Sequence, residues 1–191
     1  MILGPPGVGK TNPRKSLVKS GFAEIEASKA IKEVCKRSPF IEAQVKRWKL
    51  HSKPGDLLSD DLMAVIFDDA MHHIPKDVDL VVDAFPRTPL QVDYFFDIMV
   101  HLRYDIKFIF LNVSDEELER RVATRRTEET RLDDDPKIHS DRIKIWRANE
   151  HAVREAIIHH ENGTDSIIEI DAHATMEEVL EKFLKAVLRC N

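Results

Sequence analysis

Two stretches, LVVDA at residues 80–84 and KFIFLNV at 107–113, are short, nearly unbroken runs of aliphatic and aromatic residues. A run of that length with no polar face belongs to a strand covered on both sides, the arrangement of a parallel sheet between helices. Along the rest of the chain short apolar runs alternate with longer helical patterns, which argues for βα units rather than a bundle or a sandwich. Five strands are expected, at residues 1–3, 23–27, 80–84, 107–113 and 166–170. The fold class is α/β, with helices on both faces of a five-stranded parallel sheet. At 191 residues the chain has the length of one domain and can bury a core without disulfides or a structural metal.

Helix starts are written in the sequence. Thr88-Pro89 and Asp135-Pro136 each place a capping side chain before a proline at the first helical position. Ser114 to Glu117 and Thr175 to Glu178 both match the capping box. The carboxylates Asp115, Glu116 and Glu117 then serve the positive end of a helix and need no metal. A long amphipathic helix is expected from Pro136 to about residue 161, and Met176, Val179, Leu180, Phe183, Leu184 and Val187 mark the core face of a last one.

With 29 basic and 34 acidic residues the net charge is −5. A nonspecific nucleic-acid binder needs a basic excess or stripe to displace counterions, so no nucleic-acid partner is expected. No apolar run approaches the ~20 residues that span a bilayer, so no membrane partner is expected either. Cys35 and Cys190 are far apart and lie in no metal-ligand spacing, so no structural zinc is expected and a reducing cytoplasm is the simplest setting. His72-His73 and His159-His160 are adjacent pairs that diverge by about 100° on a helix, the pattern of solvated histidines. Trp48 and Trp146 read as partly buried anchors.

Chemistry enters with Gly4-Pro5-Pro6-Gly7-Val8-Gly9-Lys10-Thr11, a match to G-x-x-x-x-G-K-[ST] set between a strand stub and a helical stretch. Glycines let successive backbone N–H groups face one anion, the following helix adds its dipole, Lys10 brings a mobile charge and Thr11 a hydroxyl for Mg²⁺. Asp83 then stands at the end of a buried strand, where open α/β sheets form their ligand crevice, and can orient Mg²⁺ or its waters. Arg87, four residues on, can reach an acceptor anion. Six arginines, 120, 121, 125, 126, 131 and 142, fall within 23 positions and form either a solvated charged segment or an anion clamp.

In these motifs the chain resembles the adenylate kinase family of nucleoside monophosphate kinases. Asp83-Ala84-Phe85-Pro86-Arg87 with Gln91 is similar to D-G-[FY]-P-R and its downstream Gln, residues 54–61 to G-x-L-V-P-D-E, and Arg131-Leu132-Asp133-Asp134 with Arg142 to R-x-D-D and its Arg. The resemblance implies a P-loop fold of strand order 2-3-1-4-5, an acceptor-binding helical insertion at about 28–58 and a short lid at about 126–140. It implies phosphoryl transfer from ATP, with Mg²⁺, to a nucleoside monophosphate, AMP before UMP or CMP, by a monomeric enzyme. Residues 4–11 with Arg121 and Arg125 would hold the donor. Ala27, Lys32, Ala84, Arg87, Gln91, Arg131 and Arg142 would serve the acceptor, and Lys10, Arg87, Arg125, Arg131 and Arg142 the transferring group.

Three positions depart from the family pattern. Residues 26–32 read EASKAIK where the family has S-T-G-D and then Arg, Ala84 replaces a glycine, and Thr11-Asn12-Pro13-Arg14 replaces G-T-Q. Lys32 gives the acceptor side a point charge in place of a bidentate fork. These departures leave open a nucleotide-binding relative of weak catalytic power, or a kinase of small metabolites.

Overall fold

The computed structural model describes residues 1–102, 104–128, 135–161 and 167–188, the side chains of 125–128, 161 and 188 excepted. β1 (Ile2–Leu3) leads through the glycine-rich loop into α1 (Thr11–Lys19), followed by β2 (Ala23–Glu26), α2 (Ala27–Arg37), α3 (Pro39–His51) and α4 (Asp60–His72). β3 (Leu80–Asp83), α5 (Pro89–Leu102), β4 (Phe108–Asn112), α6 (Asp115–Glu128), α7 (Pro136–Glu161), β5 (Ile167–Asp171) and α8 (Met176–Leu188) complete the order. The five strands form one sheet in the order β2-β3-β1-β4-β5, every pair parallel. The fold class and strand order are those expected, and each expected strand agrees to within two residues.

Both faces of the sheet are buried, and the strands show why their sequences lack a polar face. In β4, Phe108 and Phe110 join one core while Ile109 and Leu111 join the other. The same alternation assigns Leu3 and Val82 to the first core and Ile2 and Val81 to the second. Residues from α2 to α5, with Val153 and Ile157 of α7, fill the first core. Leu17 of α1 and Val179 and Phe183 of α8 fill the second.

The caps hold with one exception. The Gln91 N–H donates to Thr88 Oγ1, and the Lys137 and Ile138 N–H groups donate to Asp135 Oδ1. Thr175 and Glu178 form the full reciprocal box. At Ser114 only half of the box forms: the Glu117 N–H reaches Ser114 Oγ, but the Glu117 carboxylate turns to Arg120 and Arg121. Charge-assisted bonds to two guanidinium groups outcompete a single backbone N–H. His160 also differs from a solvated histidine, since it stacks on Phe96 at 4.5 Å and bonds Asp93. Met176, assigned to the core face of α8 by its spacing, is 55% exposed, because it lies at the first turn, beside the phosphate loop rather than beneath the sheet.

The Asp83 to Arg87 segment is fixed by its phenylalanine. Phe85 stacks on Phe67 at 4.6 Å and meets Phe95 edge-on, which leaves Asp83 and Arg87 on the cavity side of the turn. The Phe85–Pro86 bond is cis, and Ala84 has φ of 68°. A side chain in that left-handed region costs about 1–2 kcal/mol, which glycine avoids at the expense of more unfolded-chain entropy. Ala84→Gly is therefore expected to stabilise the protein by about 0.5–1 kcal/mol, read as a higher urea midpoint at unchanged slope. An unchanged or lower midpoint would show that packing of the Ala84 methyl outweighs the strain.

Candidate active site

The carboxyl ends of β1, β2 and β3 and the N-terminus of α1 open on a cavity of about 850 Å³. Its floor is the loop between β1 and α1, curled through positive φ at Gly4, Gly7 and Gly9. At Gly4 a Cβ would stand 2.7 Å from the Leu111 carbonyl oxygen, so β4 itself demands glycine there. At Gly7 it would meet the His139 ring at 3.1 Å.

Lys10 Nζ donates to the carbonyls of Gly4 and Pro5, at 2.8 and 2.9 Å, and thereby lies folded over its own loop. Burial lowers its pKa from 10.5 to about 8, opposed by Asp83 and reinforced by Arg87 and Arg142. Burial, and then Arg142, lower that of Arg87 to about 10, again against Asp83. Burial raises the pKa of Asp83 against the pull of Lys10 and Arg14. Lys10, Arg14 and Arg87 thus pull on one carboxylate beside the phosphate loop, an arrangement that draws in further negative charge.

Arg121 forms the opposite wall. Its guanidinium donates to Glu117, to the Val8 carbonyl at 3.0 Å and to the Ala172 carbonyl, so its plane is set before any ligand arrives. Arg120 and Arg121 in turn hold the Glu117 carboxyl down to about 2. His173, Ala174, Thr175 and Met176 continue the wall beyond β5.

Of the expected site residues, Gly4, Pro6, Gly7, Val8, Gly9, Lys10, Thr11, Asp83, Ala84, Arg87, Arg121 and Arg142 line this one cavity. Pro5 contributes its carbonyl to Lys10. Three acceptor-side residues stand outside the lining. Ala27 is buried in the first core, and Lys32 is exposed on α2. Gln91 is buried and spans the Arg87 N–H, through Oε1, and the Asp60 carboxylate, through Nε2. The Arg125 side chain and Arg131 lie outside the described residues, as do residues 129–134 of the expected lid, while its ends at 126–128 and 136–140 belong to α6 and α7. The cavity also holds Glu26, Gly55, Leu57, His139 and Trp146, none of them expected as a site residue from the sequence. For His139 and Trp146 a signal existed: they stand three residues before and four after Arg142, on the same face of α7.

Two oxygens suit a hard cation. Thr11 offers its hydroxyl at the start of α1, and Asp83 Oδ1 is buried with no hydrogen-bond partner among the described residues. Mg²⁺ takes one or two protein ligands and completes its shell with water and phosphate oxygens, so this pair fits a nucleotide-borne ion and calls for no all-protein cage.

A proton linkage follows from Lys10. In the folded protein it is charged below about pH 8, whereas the unfolded chain keeps its proton to the ordinary lysine range. Between those values the unfolded chain binds more protons, so the penalty of burying the charge, full below pH 8, relaxes as pH rises. Phosphate needs the charged form. Triphosphate affinity is expected to fall above pH 8 by up to about tenfold per unit, with proton uptake on binding. Calorimetry at about pH 8.5 in two buffers of different ionisation enthalpy reads that uptake, and equal heats would remove the linkage.

The sequence profile of a family described as an AAA domain matches residues 3–140, from the phosphate loop to the first turn of α7. The chain belongs to this family. Beyond that match it is similar over nearly its whole length to proteins named adenylate kinase. The one from Mycobacterium tuberculosis is 26% identical over 98% of this chain and 97% of the relative. That from Pseudarthrobacter chlorophenolicus is 23% identical over 98% and 95%, and that from Leptospira biflexa 24% over 98% and 98%. The chain is therefore an adenylate-kinase-like member of the P-loop proteins. Among its described residues no helix is long and apolar enough to cross a membrane.

Proposed function

We propose that the chain transfers the γ-phosphoryl group of MgATP reversibly to a nucleoside monophosphate, with AMP preferred. The observation that carries this reading is the convergence of Lys10, Arg87 and Arg142 in one cavity with Asp83 and the phosphate loop. A hydroxyl acceptor must lose a proton and asks for a base. A phosphate acceptor is already ionised and asks for cations, and Arg87 and Arg142 are mutually repelling until an anion lies between them.

In the reaction the bond from the γ-phosphorus to the β–γ bridging oxygen breaks and a bond to an acceptor phosphate oxygen forms, with no proton transferred. Lys10 and the loop amides hold the donor phosphates, Arg121 borders the donor base, and Arg87 and Arg142 align the acceptor phosphate and spread the developing charge. Thr11 and Asp83 hold Mg²⁺, which when bound neutralises charge on the β- and γ-phosphate oxygens. Ala27, Lys32 and Gln91 act on the acceptor from outside the lining, with residues 28–58 as the acceptor-binding insertion. Arg125 and Arg131 belong to a short lid at about 126–140, whose closure keeps water from the phosphoryl group. A cytoplasmic monomer is part of the same reading, the compartment being supported by cysteine usage. The adenylate kinases that the chain resembles support AMP as the acceptor, and Ala27, which resembles the UMP/CMP kinase branch, is the feature on the other side.

ADP formation from MgATP with AMP, UMP, CMP, GMP and no acceptor, run in parallel, tests the reading. Turnover is expected with AMP above the others. A faster rate with UMP or CMP moves the preference to pyrimidines, and a rate no higher than the acceptor-free control, with ATP still bound, replaces the kinase by a nucleotide-binding module.

A further inference from the structure

Arg14 is a charged residue in a place where the phosphate-loop motif asks for none. It stands in the first turn of α1, four residues after Lys10, and only 6% of it is exposed. Its guanidinium is enclosed by three carboxylates from the ends of two neighbouring strands. Nη1 meets Glu24 and, at 3.0 Å, Glu26 Oε2 of β2, and Nε lies 3.3 Å from Asp83 Oδ2 of β3. Lys29 closes the outer side of Glu24.

This arrangement ties the helix after the phosphate loop to the two strand ends that border the cavity. The planar guanidinium fixes direction as well as charge, which a lysine at the same place could not do. It also divides the two oxygens of Asp83. Oδ2 is paired with Arg14 by charge, at 3.3 Å and without hydrogen-bond geometry at Nε, whereas Oδ1 is buried with no hydrogen-bond partner among the described residues. A buried carboxylate oxygen left in that state is costly unless a cation or donor completes it.

We propose that Arg14 is a positioning residue that locks the Asp83 carboxylate by one oxygen and reserves the other for a divalent cation carried by the bound nucleotide. The assignment rests on the phosphotransferase reading above and deepens its metal side. Glu24 and Glu26 hold Nη1 and offset the charge of the buried guanidinium.

The test measures metal binding without turnover. The affinity of Mn²⁺ for the complex of the protein with a non-hydrolysable ATP analogue is read by electron paramagnetic resonance. Arg14→Gln is expected to weaken Mn²⁺ binding about tenfold, and Arg14→Lys to recover only part of the loss. Glu24→Gln, which keeps the Arg14–Asp83 contact, is expected to change it less than about twofold. Because Arg14→Gln strands three carboxylates without their cation, a triple variant with Glu24→Gln and Glu26→Gln removes two of those charges along with it. Circular dichroism selects whichever variant is folded. Wild-type Mn²⁺ affinity in a folded variant without Arg14 would make the cluster a brace of the fold alone and overturn the proposal. Failure of the wild-type protein to bind the Mn²⁺–nucleotide complex would strike the phosphotransferase reading instead, as would absence of turnover with every acceptor.

Discussion

Lys10→Ala is expected to lower kcat/KM for MgATP about 10³-fold and to leave the melting temperature unchanged or raised. The two halves of that result have one cause. Lys10 is half-buried among Arg87, Arg142 and the loop carbonyls, and its charge is disfavoured there strongly enough to bring its pKa to about 8. A group that the fold tolerates at a cost does not hold the fold together. Its return comes only when donor phosphates replace the carbonyls of Gly4 and Pro5 as its partners. Removing it therefore relieves the empty site and deprives the transition state of a charge placed in a dry pocket. Steady-state kinetics with thermal melts on the same samples check both halves. A drop in rate accompanied by a large drop in melting temperature would mean that Lys10 is a structural residue, and a near wild-type rate would dismantle the site assignment.

Arg87→Ala is expected to reduce kcat/KM for the acceptor about 10²- to 10³-fold while KM for MgATP moves far less. Arg87 stands at the far end of a turn anchored by Phe85, its backbone N–H tied to Gln91 and its side chain beside Arg142. On the proposed reading a dianionic acceptor phosphate binds both members of the pair, so loss of one leaves it with half of its clamp. Arg87→Lys should recover little, because a point charge replaces a planar fork. Varying both substrates separates the cases: an equal rise in KM for ATP would place Arg87 on the donor side.

Much of the fold was legible. The apolar runs of β3 and β4 have no polar face because both of their faces are covered, and the structure splits their alternate residues between two cores. The caps at Thr88, Asp135 and Thr175 act locally, through side chains and backbone groups two or three residues apart, so spacing alone gave them. The phosphate loop is likewise local: eight consecutive residues carry its glycines, its lysine and its hydroxyl. The half-formed box at Ser114 shows the limit of that kind of inference, since Glu117 had to choose between a backbone N–H and two arginines.

The acceptor side was less legible because its residues are brought together over long separations. Gln91 looks like a ligand contact by motif, yet its amide lies between the Arg87 backbone and Asp60, thirty-one residues away. Ala27 joins the first core, and Lys32 stays in solvent. Glu26, Gly55 and the α7 pair His139 and Trp146 entered the cavity from three separate segments, and no pattern along the chain announces that these segments meet.

By itself the sequence determined the α/β class, the number of strands and the phosphate-binding loop, because burial on both faces and the curl of a glycine-rich loop are properties of consecutive residues. Tertiary structure alone decided which charges share a cavity. It placed Lys10, Arg87 and Arg142 in one cavity with Asp83 and closed Glu24, Glu26 and Asp83 around Arg14. Electrostatic energy depends on distance and burial through space, and neither is a function of separation along the chain.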